Sequence, residues 1–112
     1  MDKNLITLNE VFNNGRSIYF YQEDLHGTWV TFGYSAYLLS KLCDFNILSN
    51  YSKEMQMPLV CISNSDFTRL KKEYMKIIEC KDGYYYLSTE NSVEENNYRV
   101  WASNLKLTNR HE

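Results

Sequence analysis

Between Ile18 and Cys43 the chain alternates, turns, alternates again and then changes period, and few folds accept that succession. Ile18-Tyr19-Phe20-Tyr21-Gln22 puts Ile18 and Phe20 on one face and Tyr19 and Tyr21 on the other, the period of two expected of a strand. Glu23-Asp24-Leu25-His26-Gly27 reads as a turn, and Thr28 to Phe32 as the return strand of an antiparallel hairpin. Gly33 breaks that strand. Ser35 is placed to cap a helix, with Leu38, Leu39, Leu42 and Cys43 lining one face of it. A hairpin that feeds directly into a helix predicts helices laid on a sheet.

The flanking segments fit the same plan. Thr7 to Asn14 reads as a short helix with Thr7 as N-cap, Glu10 at the capping-box position and Leu8, Val11 and Phe12 as its apolar stripe; residues 1–6 lead in loosely. Phe45 to Tyr51 is ambiguous, with room for a short strand at Asn46-Ile47-Leu48, and Ser52 to Gln56 reads as a loop. Pro58 opens a strand, Leu59-Val60-Cys61-Ile62, that is apolar on both faces and so belongs inside the sheet. Ser63 with Asp66 marks the start of a second long helix, in which Phe67, Leu70 and Tyr74 recur at helical spacing. The chain leaves that helix near Met75. Lys76 to Cys80 and Tyr84 to Ser88 then make a hairpin around Lys81-Asp82-Gly83. Thr89 to Asn97 is a polar loop, Tyr98 to Trp101 a last strand or a short helix, and residues 108–112 a frayed tail. The expectation is one α/β (α+β) domain over residues 1–112, a mixed sheet of five or six strands with two main helices packed on it.

The 112 residues carry a net charge of −2, which removes the overall electrostatic pull typical of nucleic-acid binders. The start lacks the apolar core of a signal peptide, and no apolar run approaches a membrane span. The cysteines, Cys43, Cys61 and Cys80, form no CxxC pair, which fits reduced thiols in a cytoplasmic protein. His26 and His111, the two histidines, have no partner at ligand spacing, and no P-loop, GxSxG, GxGxxG or HExxH is present. Neither a metal nor a cofactor is expected, and a small enzyme, with a site of Tyr hydroxyls or His26 beside a carboxylate assembled from distant residues, is the weakest alternative.

Two groups of residues remain as candidate binding surfaces. Arg69, Lys72 and Lys76 fall at i, i+3 and i+7 with Lys71 beside them, a helix stripe able to meet phosphates or simply to face solvent. Ten tyrosines are the other unusual feature. Tyr84-Tyr85-Tyr86 must alternate across a strand, so at least one ring meets solvent or a partner. Tyr19, Tyr21, Trp29, Tyr34 and Tyr37 lack interleaved cations, which favours packing over base stacking. A protein partner or self-association, such as a homodimer, is therefore expected ahead of nucleic acid.

From Leu5 to Cys80 the chain also resembles a known domain. The hairpin and helix over Ser17 to Leu42, with Phe32 before the helix and Ser35-Ala36 at its start, resemble the amino-terminal, mismatch-reading domain of the DNA mismatch-repair MutS family. Met57-Pro58-Leu59-Val60-Cys61-Ile62, Ser65-Asp66-Phe67-Thr68-Arg69-Leu70 and Lys76 to Cys80 resemble its later strand, helix and strand. The resemblance implies the domain's fold and DNA as a ligand. The family's Phe-x-Glu reading element falls here on Thr28-Trp29-Val30, which lacks both the Phe and the Glu and leaves Trp29 as the candidate wedge. The clamp and ATPase of a repair enzyme have no counterpart in the chain, and a shared fold does not carry function with it.

Overall fold

The computed structural model describes residues 2–23, 27–42, 47–74, 76–80, 83–90 and 92–108. In chain order these form α1 (Lys3–Val11), β1 (Ser17–Gln22), β2 (Thr28–Phe32), α2 (Gly33–Leu42), β3 (Leu48–Ser52), β4 (Met57–Ser63), α3 (Asn64–Glu73), β5 (Ile78–Glu79), β6 (Tyr85–Ser88) and α4 (Glu95–Thr108). The strands make one six-stranded sheet in the order β3-β4-β2-β1-β6-β5. The α+β class and the strand number are those expected. Every pairing is antiparallel, however, rather than mixed, because each strand runs against its neighbours whether a hairpin or a helix connects them.

The apolar-on-both-faces reading of β4 holds: it lies between β3 and β2, pairing Val60 with Thr31 and Ile62 with Trp29. Ser63 caps α3, its hydroxyl oxygen accepting from the Asp66 backbone N–H at 3.1 Å. The helix stops at Glu73 with Tyr74 extended behind it.

One face of the sheet carries the main core. Ile18 and Phe20 of β1, Trp29 of β2, Val60 and Ile62 of β4 and Leu87 of β6 meet Ala36, Leu38 and Leu39 of α2 and Phe67 and Leu70 of α3. α4 closes the same layer beside α2: Tyr98 and Trp101 pack edge-on against Tyr37, with centroids 5.9 and 5.3 Å away. We call this the covered face. The opposite face holds a smaller cluster, in which Ile6 of α1 packs with Tyr21, Val30 and Phe32.

Both ends of the chain depart from the sequence reading. α1 begins at Lys3, not at Thr7, because the Asp2 carboxylate caps it, accepting from the backbone N–H groups of Asn4 at 2.9 Å and Leu5 at 3.1 Å. Residues 2–6 are therefore ordered by a cap and by burial of Ile6, not loose. β3 starts at Leu48, two residues later than expected. Of the two alternatives for Tyr98 to Trp101 the helix is the one found, but it is fourteen residues long rather than short, starting at Glu95 and reaching Thr108. Among the described residues there are four helices: the short one expected near the start, the two main ones, and α4. The turn residues Asp24, Leu25 and His26, the possible strand start at Asn46, Cys43 at the end of the helix that follows the hairpin, the Lys81-Asp82 turn and His111 all lie outside the described residues.

Candidate interaction surface

α1 is an inside-out helix. The residues it turns inward are Ile6, Glu10 and Asn13, all buried, while the apolar stripe expected to pack is the one facing water: Leu8 is 54 % exposed, Val11 71 % and Phe12 76 %. Starting the helix at Lys3 does not change the angles between residues. It changes which side has a reason to be inside.

That reason is the start of α2. The Glu10 carboxylate accepts from the Ser35 hydroxyl at 2.6 Å and from the Ser35 backbone N–H at 3.2 Å. Asn13 donates to the Ser17 carbonyl at 2.8 Å and to the Ser35 hydroxyl oxygen at 3.3 Å, and the Tyr19 backbone N–H donates to the same oxygen at 3.0 Å. Ser35, expected as the cap of α2, is instead a relay in its first turn, and Glu10 supplies the capping oxygen from another helix. Gly33 permits the approach. Its φ is +58°, and a Cβ there would stand 2.9 Å from Glu10 Oε1. Burial outweighs these donors and pushes the Glu10 carboxyl up from 4.5 to about 7. Glu10 also borders a groove of about 410 Å³ between α1 and α4 that includes Tyr34, Met57 and Tyr98. Tyr34 donates from its hydroxyl to Glu95, whose carboxyl is held low chiefly by that bond. The carboxyl oxygens of Glu10 are already engaged by Ser35 and Asn13, so the chemistry on view is that of a helix cap.

Beside α1 the sheet presents a ladder of tyrosines. Tyr19 lies 5.9 Å from Tyr84 and 6.0 Å from Tyr86, and Tyr84 lies 5.9 Å from Tyr21, between ring centroids. Asn9 donates to the Tyr21 hydroxyl oxygen at 3.1 Å. Leu5, Asn9 and Phe12 share one flank of α1 at i, i+4 and i+7, so this bond brings the Phe12 flank alongside the ladder. Ile78 of the edge strand β5 pairs with Tyr86 and is 49 % exposed. Half-buried Cys61 lies on the same face, its thiol pushed up to about 11 chiefly by burial and so kept protonated.

The predicted patch Tyr84-Tyr85-Tyr86 is thus divided by the pleat. Tyr84 and Tyr86 join the ladder, whereas Tyr85 lies on the covered face, edge-on to Trp29 at 5.3 Å and Phe67 at 5.3 Å. Trp29 itself is 6 % exposed, stacked on Phe67 at 4.0 Å, and donates from Nε1 to Asn64 at 2.9 Å. It lies on the same side of the sheet as α3, as a joint site with the basic stripe requires, but beneath the helix and out of reach of a base stack. Of that stripe, Arg69 pairs with Asp66 at 2.8 Å, and Lys71 lies over the rings of Phe67 and Tyr85 at 5.4 and 5.3 Å. Lys72 and Lys76 are exposed, and Lys76 borders a hollow of about 580 Å³ whose wall also carries Glu73 and Glu90.

No protein-family model, curated protein or solved structure matches the chain. Among the described residues, no cluster of His, Cys, Asp and Glu could hold a metal ion, and no helix is long and apolar enough to cross a membrane. Helical spacing identifies Leu8, Val11 and Phe12 as a stripe but does not say which side of α1 faces the protein. The polarity of Glu10 and Asn13 mattered only once Ser35 was known to face them.

Proposed function

We propose that this chain is a non-enzymatic binding module of the cytoplasm that engages a protein through the α1 stripe and the adjoining tyrosine ladder. The observation that carries this reading is the inversion of α1. Three neighbouring large apolar side chains stand in water on a helix whose inner side is spent on a buried polar clamp. Single exposed apolar residues are ordinary, but a contiguous set beside an aromatic face marks an interaction surface. Tyrosine suits such a surface, offering rigid area and a hydroxyl that tolerates water. The thiols of Cys61 and Cys80, which form no disulfide, support a reducing compartment.

The resemblance to the mismatch-reading domain is carried as a proposal about architecture alone. Its support is the succession helix, hairpin, helix, Pro-containing strand, capped helix and strand, into which β3 is inserted ahead of the Pro-containing strand. The burial of Trp29 and the engagement of Arg69 and Lys71 weigh against extending it to DNA.

The test is photo-crosslinking in cells, with a photoreactive side chain placed singly at positions 12, 86 and 72. Protein adducts at 12 and 86, with none at 72, are the expected result. Nucleic-acid adducts confined to 72, with none at 12 or 86, would overturn the reading in favour of the basic stripe.

A further inference from the structure

The ladder and the stripe are two halves of one contact. α1 covers only the middle of its face of the sheet, where Ile6 meets Tyr21, Val30 and Phe32. A nine-residue helix is about 14 Å long, whereas six strands span about 24 Å from edge to edge. Toward β6 and β5 the face is left uncovered by helix among the described residues, with half-buried Tyr19 and Tyr86 and exposed Ile78. The same chain thus carries an apolar helix stripe lacking a sheet and an apolar stretch of sheet lacking a helix.

Building on the binding reading above, we infer that the partner is a second copy of this chain. A two-fold axis sets Leu8, Val11 and Phe12 of each copy against Tyr19, Tyr86 and Ile78 of the other. Such an isologous arrangement uses each patch once and closes, which a one-sided contact would not. The six side chains are uncharged, so the axis brings no like charges together, and the net charge of −2 per copy adds little repulsion. Their exposed surface is on the order of 500 Å² per copy, near the apolar share of a standard interface of about 800 Å² per partner. A patch of that size is at the upper end of what monomers leave open.

Sedimentation equilibrium from about 1 µM to hundreds of micromolar tests this, since interfaces of this size begin to hold in that range. The wild type is compared with Val11→Ser/Phe12→Ser and with Ile78→Ser/Tyr86→Ser, each checked for an unchanged far-ultraviolet spectrum. The expected result is a dimer for the wild type and monomers for both variants. An equimolar mixture of the two variants should recover dimer in part, because one stripe-to-ladder contact out of two survives in the mixed pair. Dimer persisting in both variants, or no recovery on mixing, overturns the reciprocal arrangement. A wild-type monomer throughout overturns self-association; the photoreactive residue at position 12 then separates the two readings, since an adduct with a different protein keeps the binding reading and no protein adduct removes both. Should a variant fail to fold, crosslinks between position 12 of an isotopically heavy chain and Tyr86 of a light one give the same decision on native protein.

Discussion

The two faces of the sheet are built on opposite principles. On the covered face three helices bring apolar side chains to apolar strands, and the result is closed: Phe20, Phe67 and Leu39 are almost wholly removed from water. On the other face a single helix is held mainly by polar groups, Glu10 and Asn13 to Ser35 and Ser17, with Ile6 its one fully buried apolar side chain. The first face takes its stability from area. The second takes its position from directed bonds, which leaves the helix's own apolar side free. The helix is tied down without its apolar stripe, and Leu8, Val11 and Phe12 stay in water.

The largest expected effect lies in the closed face. Phe67 stacks on Trp29 at 4.0 Å and meets Phe20 at 5.2 Å and Tyr85 at 5.3 Å. Phe67→Ala removes a ring from the middle of that group, and urea denaturation should show a loss of about 4 kcal/mol from lost transfer and the cavity left behind. A loss below about 1 kcal/mol would mean that α3 is not packed as described.

The polar clamp is tested by pH. Glu10 has a folded-state pKa of about 7 against an ordinary 4.5, so the folded protein binds the proton more tightly than the unfolded chain does. Its contribution to stability is fully present below pH 4.5 and is lost as pH rises through 7. At about 1.4 kcal/mol per pH unit, that loss amounts to about 3 kcal/mol. Glu10→Gln keeps an oxygen for the Ser35 N–H and removes the charge. Its denaturation midpoint should change less than the wild type's across this range and exceed it at pH 8. Equal slopes for the two proteins would show that the carboxyl is not buried as described.

These contrasts also explain what was legible in the sequence. The hairpin, the inner strand β4 and the Ser63 cap are encoded within a few residues of themselves, so period and punctuation were enough. The inversion of α1 is encoded across 25 residues, between Glu10 and Ser35, and nothing local to either announces it. Helical spacing shows that Leu8, Val11 and Phe12 share a side, but is silent on whether the protein lies on that side. α4 is legible only in part for a related reason: Tyr98 to Trp101 fits either period, so strand and helix both stay open, and the partners that decide between them, Tyr34 and Tyr37, sit more than sixty residues upstream. Helical spacing puts Lys71 one turn from Phe67 on α3, but only the fold brings the Tyr85 ring beneath it as well.

A smaller effect probes the seam between the covered face and the chain turn. Gly27 lies against Asn64, where a Cβ would come within 3.3 Å of the Asn64 Cβ, and Asn64 accepts the indole N–H of Trp29. Asn64→Ala leaves that donor without its acceptor at the edge of the core, a cost of about 1–2 kcal/mol in urea denaturation. No change would mean that water takes the place of Asn64 and that the indole edge is less enclosed than its exposure of 6 % implies.

The smallest effect on stability is the most telling about the open face. Phe12 is 76 % exposed, so Phe12→Ser removes little area that folding had buried, and the unfolding free energy should stay within about 0.5 kcal/mol of the wild type. On the covered face no aromatic of comparable size could be replaced so cheaply. If the unfolding free energy falls by about 2 kcal/mol or more, Phe12 is packed within its own chain, and the stripe is part of the core rather than a surface. If the midpoint holds while sedimentation shifts from dimer to monomer, stability and association have been separated at one side chain. That separation is what the inverted helix predicts, because the residues that hold α1 in place and the residues it presents lie on opposite sides of it.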